Sequence, residues 1–70
     1  MIVDSSAIIA VLNREQHWQQ YDHALRKAAD PQISAATYVE LGVVVDNLRD
    51  PSLSRRLDRL LAAWRIQAVG

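Results

Sequence analysis

The sequence contains no cysteine, which excludes a disulfide framework and a thiolate metal site and gives no reason to expect an oxidising compartment. It has only two glycines and two prolines, and half of its residues are hydrophobic, a composition typical of a folded domain. Eight basic and eight acidic residues cancel, so no overall field draws the protein to nucleic acid or to an anionic membrane. A cytoplasmic location is therefore the default expectation.

Long apolar runs and several enzyme signatures are also missing. No apolar stretch approaches the roughly 20 residues of a membrane span, and no basic region precedes the first apolar residues, so neither a membrane segment nor a signal peptide is expected. The chain has no Gly-rich phosphate-binding loop, and no Gly-x-Ser-x-Gly turn surrounds Ser5 or Ser6. These absences disfavour nucleotide-phosphate enzymes and serine hydrolases.

The first half of the sequence reads as a strand followed by two helices. Met1-Ile2-Val3 predicts a short buried strand, and Asp4 is a residue type that strands avoid and helix starts favour. The residues from 7 to 12 are apolar on every side, which predicts a buried helix. An amphipathic helix is expected from 15 to 29, where Asp30-Pro31 ends it.

The second half repeats this order and ends in a further strand. Gln32-Ile33-Ser34 predicts a strand, the residues from 35 to 48 a helix, and Asp50-Pro51 the start of a fourth helix. Apolar residues between 66 and 69 predict a third strand. Strands separated by helical crossovers pair in parallel, so the sequence predicts an α/β fold of three parallel strands and four helices in the order β-αα-β-αα-β.

Surface and core expectations follow from the helical patterns. Four aromatic residues fall on helical stripes and are expected in the core: Trp18, Tyr21, Tyr38 and Trp64. Arg49, Arg55, Arg56 and Arg59 form the only arginine cluster that is visible in the sequence, and a solvated helix face is its most common meaning. Val39 and Val43 cannot face the same sheet as the rest of their helix, which suggests burial against a further segment or a partner.

Two carboxylates are expected at the same edge of the sheet. Asp4 follows the first strand and Glu40 lies in the helix after the second strand, and the carboxyl ends of parallel strands are where ligands collect. Carboxylate oxygens suit Mg²⁺ or Mn²⁺, and such an ion can activate water for attack on a phosphodiester. The structural alternatives are an N-cap for Asp4 and a capping box with Thr37 for Glu40, although Ser34 is the better cap for that helix.

The sequence segments around these two carboxylates resemble those of a known family. Ile2-Val3-Asp4-Ser5-Ser6-Ala7, followed by Ile33-Ser34 and then Tyr38-Val39-Glu40-Leu41, resembles the PIN-domain ribonucleases, above all the VapC toxins of bacterial toxin–antitoxin pairs. The resemblance implies a PIN-like, Rossmann-like three-layer sandwich. It implies that Asp4 and Glu40 are catalytic metal ligands for Mg²⁺ or Mn²⁺ and that Ser6 supports Asp4. It also implies an RNA substrate, a small antitoxin and a homodimer as partners.

Members of that family are longer than this chain, and their second half supplies further acidic residues and strands. The resemblance therefore implies that residues 1–70 are the N-terminal half of a single PIN-like domain. We expect such a segment to be inactive by itself, because two carboxylates hold a hard cation only loosely. We also expect self-association or a complementary C-terminal half, because the first strand leaves an unpaired edge. The alternative is a catalytically dead remnant that acts only as a protein-interaction module.

Overall fold

A computed structural model describes all 70 residues of the chain. Its elements in chain order are α1 (Ser5–Leu12), α2 (Trp18–Lys27), β1 (Gln32–Ser34), α3 (Ala35–Asn47), α4 (Pro51–Ala63) and β2 (Gln67–Val69). The two strands pair in parallel, with Ile33 opposite Ala68, and α3 and α4 form the crossover between them. The α/β class, the parallel pairing and the four helices are confirmed. No helix combines the length and the apolar character that crossing a bilayer requires.

The prediction of a strand at Met1–Val3 is wrong, because these residues form a single bridge. The sheet therefore has two strands rather than three. Met1 to Val3 contribute only one parallel bridge, between Ile2 and Gln32. The Val3 N–H donates to the Gln32 carbonyl, and the Gln32 N–H donates to the Met1 carbonyl, both at 2.8 Å. Asp4 then caps a helix, so the backbone leaves the sheet before a second bridge can form. β1 lies in the centre, between this bridge and β2.

Side-chain caps fix the starts of three helices. Asp4 caps α1, Ser34 caps α3 by accepting from the Thr37 N–H at 3.0 Å, and Asp50 caps α4 ahead of Pro51. Hydrogen bonds from the Ser52 hydroxyl and N–H hold the pKa of Asp50 below its usual value. Each cap stabilises its helix by about 1 kcal/mol. Because α3 begins after Ser34, Glu40 falls in its second turn, as the sequence predicts.

The core is built around α1. Ile8, Ala10, Val11 and Leu12 are all buried there, which confirms the prediction of a buried helix. α2, β1, α3 and α4 contribute one or two buried side chains each, and β2 contributes none. The cluster consists of Val3, Ile8, Val11, Leu12, Leu25, Ile33, Leu41, Val45, Leu57, Leu61 and Trp64. The core is thin, as the length of the chain requires.

The expectation that all four aromatic residues belong to the core is half wrong. Trp64 is buried and Trp18 packs partly against the core, but Tyr21 and Tyr38 are 45% and 47% exposed. The reason is that α2 and α3, the helices that carry these tyrosines, each bury only one or two side chains. α2 buries only Leu25. α3 likewise buries only Leu41 and Val45.

A polar contact ties α2 to the end of α4. The indole Nε1–H of Trp64 donates to Oδ1 of Asp22 at 2.9 Å, and the Arg26 guanidinium donates Nε–H to both oxygens of the same carboxylate at 3.0 and 3.1 Å. Partial burial raises the pKa of Asp22, but the hydrogen bonds from Trp64 and Arg26 and the Arg26 charge outweigh it and leave the pKa below its usual value. The ionised carboxylate therefore stabilises the fold.

Replacement of Asp22 by asparagine is expected to lower the free energy of unfolding by about 1–2 kcal/mol at neutral pH, because it removes charge-assisted hydrogen bonds. The folded-state pKa is lowered, so this contribution is complete above the unfolded pKa of about 4 and is lost as the pH falls through the folded value. In the Asp22→Asn variant, the free energy of unfolding should therefore fall less steeply as the pH is lowered below about 4. Urea unfolding followed by circular dichroism at several pH values measures this effect.

The matched control is Asp30→Asn, because Asp30 is exposed, makes no side-chain hydrogen bond and has a left-handed φ of 49° that asparagine tolerates. The free energy of unfolding of the control should depend on acidic pH as that of the unsubstituted chain does. If both variants lose the same part of this pH dependence, the Asp22 contact is not its cause.

Candidate functional site

Asp4 lies where the N-terminal segment leaves the sheet. The bridge between Ile2 and Gln32 brings the segment before Asp4 alongside β1, and the caps of α1 and α3, Asp4 and Ser34, each come two residues after it at the carboxyl edge of the sheet. That edge is where open parallel sheets bind ligands. The Asp4 side chain is exposed, its Oδ1 accepts from the Ser6 N–H at 3.2 Å, and its Oδ2 has no partner within the chain.

Ser6 contacts Asp4 through the main chain. Its backbone N–H donates to the Asp4 carboxylate, and its hydroxyl makes no hydrogen bond within the chain. This contact is the usual bond of an N-cap, and it holds the Asp4 side chain against the start of α1. The predicted supporting role of Ser6 therefore has a main-chain basis, while its hydroxyl remains free for a ligand.

Glu40 lies in the second turn of α3 and is exposed, with no hydrogen bond or ion pair. The charge of Glu40 is therefore solvated, and its helix neighbours Val43 and Val44 are exposed too, so the carboxylate carries no cost of burial. Glu40 is roughly 9 Å along the helix axis from Ser34. Helical Cα–Cβ bonds tilt towards the N-terminus, so that of Glu40 leans towards the Ser34 end of α3.

The donor chemistry at this edge fits a hard divalent cation, but the number of donors is small. Carboxylate and hydroxyl oxygens are the ligands that Mg²⁺ and Mn²⁺ prefer. No group of three or more His, Cys, Asp or Glu side chains that could hold a metal ion exists in the structure. Asp4 and Glu40 together fill two positions of an octahedral ion at most and leave the rest to water. This edge is a partial site by itself.

Residues 1–69 match the sequence profile of the PIN domain. The chain belongs to the PIN-domain family. VapC ribonuclease Mb0625 of Mycobacterium bovis and Ribonuclease VapC28 of Mycobacterium tuberculosis are each 51% identical to it over 61 residues, or 87% of this chain and 46% of theirs. Ribonuclease VapC42 of Mycobacterium tuberculosis is 40% identical over 67 residues, or 96% of this chain and 51% of that protein. The predicted resemblance to PIN-domain VapC ribonucleases and the PIN-like fold class are confirmed.

The PIN-domain chain spans about half the length of the curated relatives it matches. It also exposes an apolar face on α3, where Val39, Val43 and Val44 are 63%, 52% and 39% accessible. Beside the first bridge, Met1 and Ile2 are exposed as well. Burial of these side chains against a further segment or a partner stays a prediction.

All four arginines of the predicted cluster are exposed, as expected of a solvated face, but the structure divides them between two depressions. Arg49 and Arg55 line a depression beside Asp46 and Asp50, whereas Arg56 lines a separate depression. Adjacent residues on a helix point about 100° apart, so Arg55 and Arg56 diverge. Arg59 shares the depression of Arg56, and two arginines that the sequence analysis did not single out lie there too, Arg14 and Arg26. They come from other elements, so no spacing in the sequence signals the grouping.

Proposed function

We propose that this chain is the N-terminal half of a metal-dependent endoribonuclease, the VapC-like toxin of a type II toxin–antitoxin system. The match to the PIN domain and the similarity to VapC ribonucleases support the proposal. The observation that carries it is the bridge between Ile2 and Gln32, because it brings the segment that leads into Asp4 alongside the strand that leads into the helix of Glu40. A purely structural Asp4 needs no such neighbour.

Each residue of the site has a distinct role in this proposal. Asp4 binds Mg²⁺ or Mn²⁺ through its carboxylate, Ser6 orients Asp4 through its N–H, and Glu40 binds the ion or positions a water on it. The bound ion supplies an activated water and offsets the negative charge that develops on the phosphodiester. The N-termini of α1 and α3 add partial positive charge at the same edge, which favours both the carboxylate and a phosphate group.

The isolated 70-residue chain is expected to bind Mn²⁺ weakly, in about the millimolar range, and to cleave no RNA. Two-dimensional NMR during a Mn²⁺ titration should show paramagnetic broadening centred on the amides around Asp4 and Glu40. Asp4→Asn should remove this broadening, because asparagine still caps the helix but lacks the charge.

The control is Asp46→Asn, because Asp46 is an exposed acid near the other end of α3. It should leave the broadening around Asp4 unchanged. Broadening that is centred elsewhere, or that survives Asp4→Asn, contradicts a shared ion. Metal-dependent RNA cleavage by the purified chain that Asp4→Ala abolishes contradicts the proposed inactivity.

A second candidate function is a catalytically dead PIN-like module that acts through protein contacts. Two observations favour it: no metal-binding group of three side chains exists, and α3 exposes an apolar face. Genomic context separates the two candidates. A reading frame that continues beyond Gly70 and an antitoxin gene just upstream support the toxin, while a stop codon and no such gene support the module.

The proposed partners follow from the same features. They are an RNA substrate, a cognate antitoxin, and a second copy or a complementary C-terminal half that covers the exposed face of α3. The first segment presents an unpaired backbone edge next to exposed Met1 and Ile2, and such edges promote association. A cytoplasmic location is part of the proposal, since the sequence contains no cysteine.

A further inference from the structure

Four arginines from three parts of the chain meet at one depression beside α2 and α4. Arg14 comes from the loop after α1, Arg26 from α2, and Arg56 and Arg59 from α4. The depression has a volume of about 380 Å³. We call it the arginine groove.

The positive charge of the arginine groove is mostly uncompensated. Asp22 is the one acidic residue that lines it, and its carboxylate pairs with Arg26 at 3.0 Å. That contact is the only ion pair in the structure, so Arg14, Arg56 and Arg59 have no carboxylate within 4.0 Å. Like charges gathered at one surface repel one another, and a bound anion relieves that repulsion.

Two of these side chains are held in place by the fold. Arg56 donates Nη1–H to the carbonyl of Leu12 at 3.2 Å, which anchors its guanidinium at the end of α1 and leaves other N–H groups free. The Arg14 guanidinium lies 5.8 Å from the centre of the Trp18 ring, within the range of a cation–π contact. Side chains that are already positioned lose less conformational entropy when they bind a ligand.

We propose that the arginine groove binds the phosphodiester backbone of single-stranded RNA. Arginine presents a planar fork of donors that matches two phosphate oxygens, which makes a phosphate a well-suited anion for it. The Arg14 guanidinium, which lies over the Trp18 ring, presents a planar surface, and nucleic acid bases stack on guanidinium planes. An acidic peptide uses the charge but not this stacking surface.

The arginine groove is a binding surface separate from the candidate metal site. Leu12, whose carbonyl anchors Arg56, is at the opposite end of α1 from the cap residue Asp4, about 12 Å away along the helix. RNA binding in the groove needs neither the carboxylates nor a metal ion. It therefore goes beyond the proposed cleavage function and does not depend on it.

The test is fluorescence anisotropy of a labelled short oligouridylate with the 70-residue chain in EDTA, at salt concentrations between about 50 and 200 mM. Replacing Arg14 and Arg59 together by glutamine should weaken binding by about tenfold or more, since two charge-assisted contacts are lost. It should also reduce the slope of log affinity against log salt by about 1.4, or 0.7 for each lost phosphate contact. Arg56 stays unchanged because it also bonds to the main chain.

The matched control is Arg55→Gln with Arg65→Gln, which removes the same charge from exposed residues outside the groove. Its affinity should stay within about twofold of the unsubstituted chain. EDTA removes metal ions from this assay, so its affinities are independent of the cleavage experiments that test the nuclease proposal. Arg59→Gln alone should show half of the slope change, which keeps the test usable if the double variant loses its helical circular dichroism.

Three results would overturn the proposal. One is the absence of RNA binding, and another is an equal loss of affinity in the groove variant and in its matched control. The third is displacement of the RNA by polyglutamate at equal charge concentration, which would assign the groove to an acidic protein segment.

Discussion

A chimera in which this chain replaces the matching part of Ribonuclease VapC28 is expected to cleave RNA with Mg²⁺ or Mn²⁺, and Asp4→Asn is expected to lower its rate by about a hundredfold or more. The 51% identity over 61 residues makes it plausible to join the two proteins at this boundary. A metal ion supplies several kcal/mol of transition-state stabilisation, and a carboxylate that holds it carries a large share of that energy. Single-turnover cleavage of a labelled RNA measures the rate.

Asparagine is the informative substitution because it is as good an N-cap as aspartate, so α1 keeps its cap while the site loses a charge. Glu40→Gln should give a loss of similar size. Glu15→Gln, at an exposed acid in the loop between α1 and α2, should keep the rate of the unsubstituted chimera. Full activity of the Asp4→Asn chimera would show that Asp4 serves only as a helix cap. An unsubstituted chimera that folds but does not cleave RNA would favour the catalytically dead PIN-like module.

Truncation of Ile8 to alanine is expected to remove about half of the stability of the isolated chain. Ile8 is fully buried, at 0% exposure, in the helix that contacts all three other helices. Removing such a side chain costs about 2–5 kcal/mol, and a domain of this length has a total stability of about 4–10 kcal/mol. Urea and thermal unfolding followed by circular dichroism measure the loss.

The matched control for Ile8→Ala is Val39→Ala, which truncates an apolar side chain that is 63% exposed on α3. Its stability should change by less than about 0.5 kcal/mol, because it forms no cavity and alanine has a higher helix propensity than valine. Losses of the same size in both variants would show that the thin core around α1 does not govern stability. A larger loss at Val39 would show that the exposed face is already covered by a second copy.

Local sequence signals predicted most of the secondary structure. Ser34 and Asp50-Pro51 were readable as helix starts because a side-chain oxygen satisfies free backbone N–H groups within a few residues. The strand at Gln32–Ser34 was also predictable, because it lies between a helix stop and a cap. The first strand was overestimated because strand length depends on where the neighbouring backbone diverges, and the Asp4 cap turns the chain away from β1.

The candidate site, too, was predictable from the sequence only in part. Its residue types and the PIN-like sequence segments around them were available from the sequence, and those segments agree with the match to the PIN domain. The exposure of Glu40 and of Tyr38 was not, because a pattern of apolar residues shows which face can be buried but not how much of it meets a partner. The metal-binding roles of Asp4 and Glu40 stay a prediction for the Mn²⁺ titration to test.

The sequence by itself determined the order of the elements, the buried character of α1 and the family, because each of these depends on residues that are close together in the chain. Only the tertiary structure decided which distant residues share a surface. It brought the segment before Asp4 alongside β1 through one bridge, and it gathered Arg14 and Arg26 with Arg56 and Arg59 while it turned Arg55 away. The physical reason is that packing directions between helices fix these neighbours, and no local spacing encodes them.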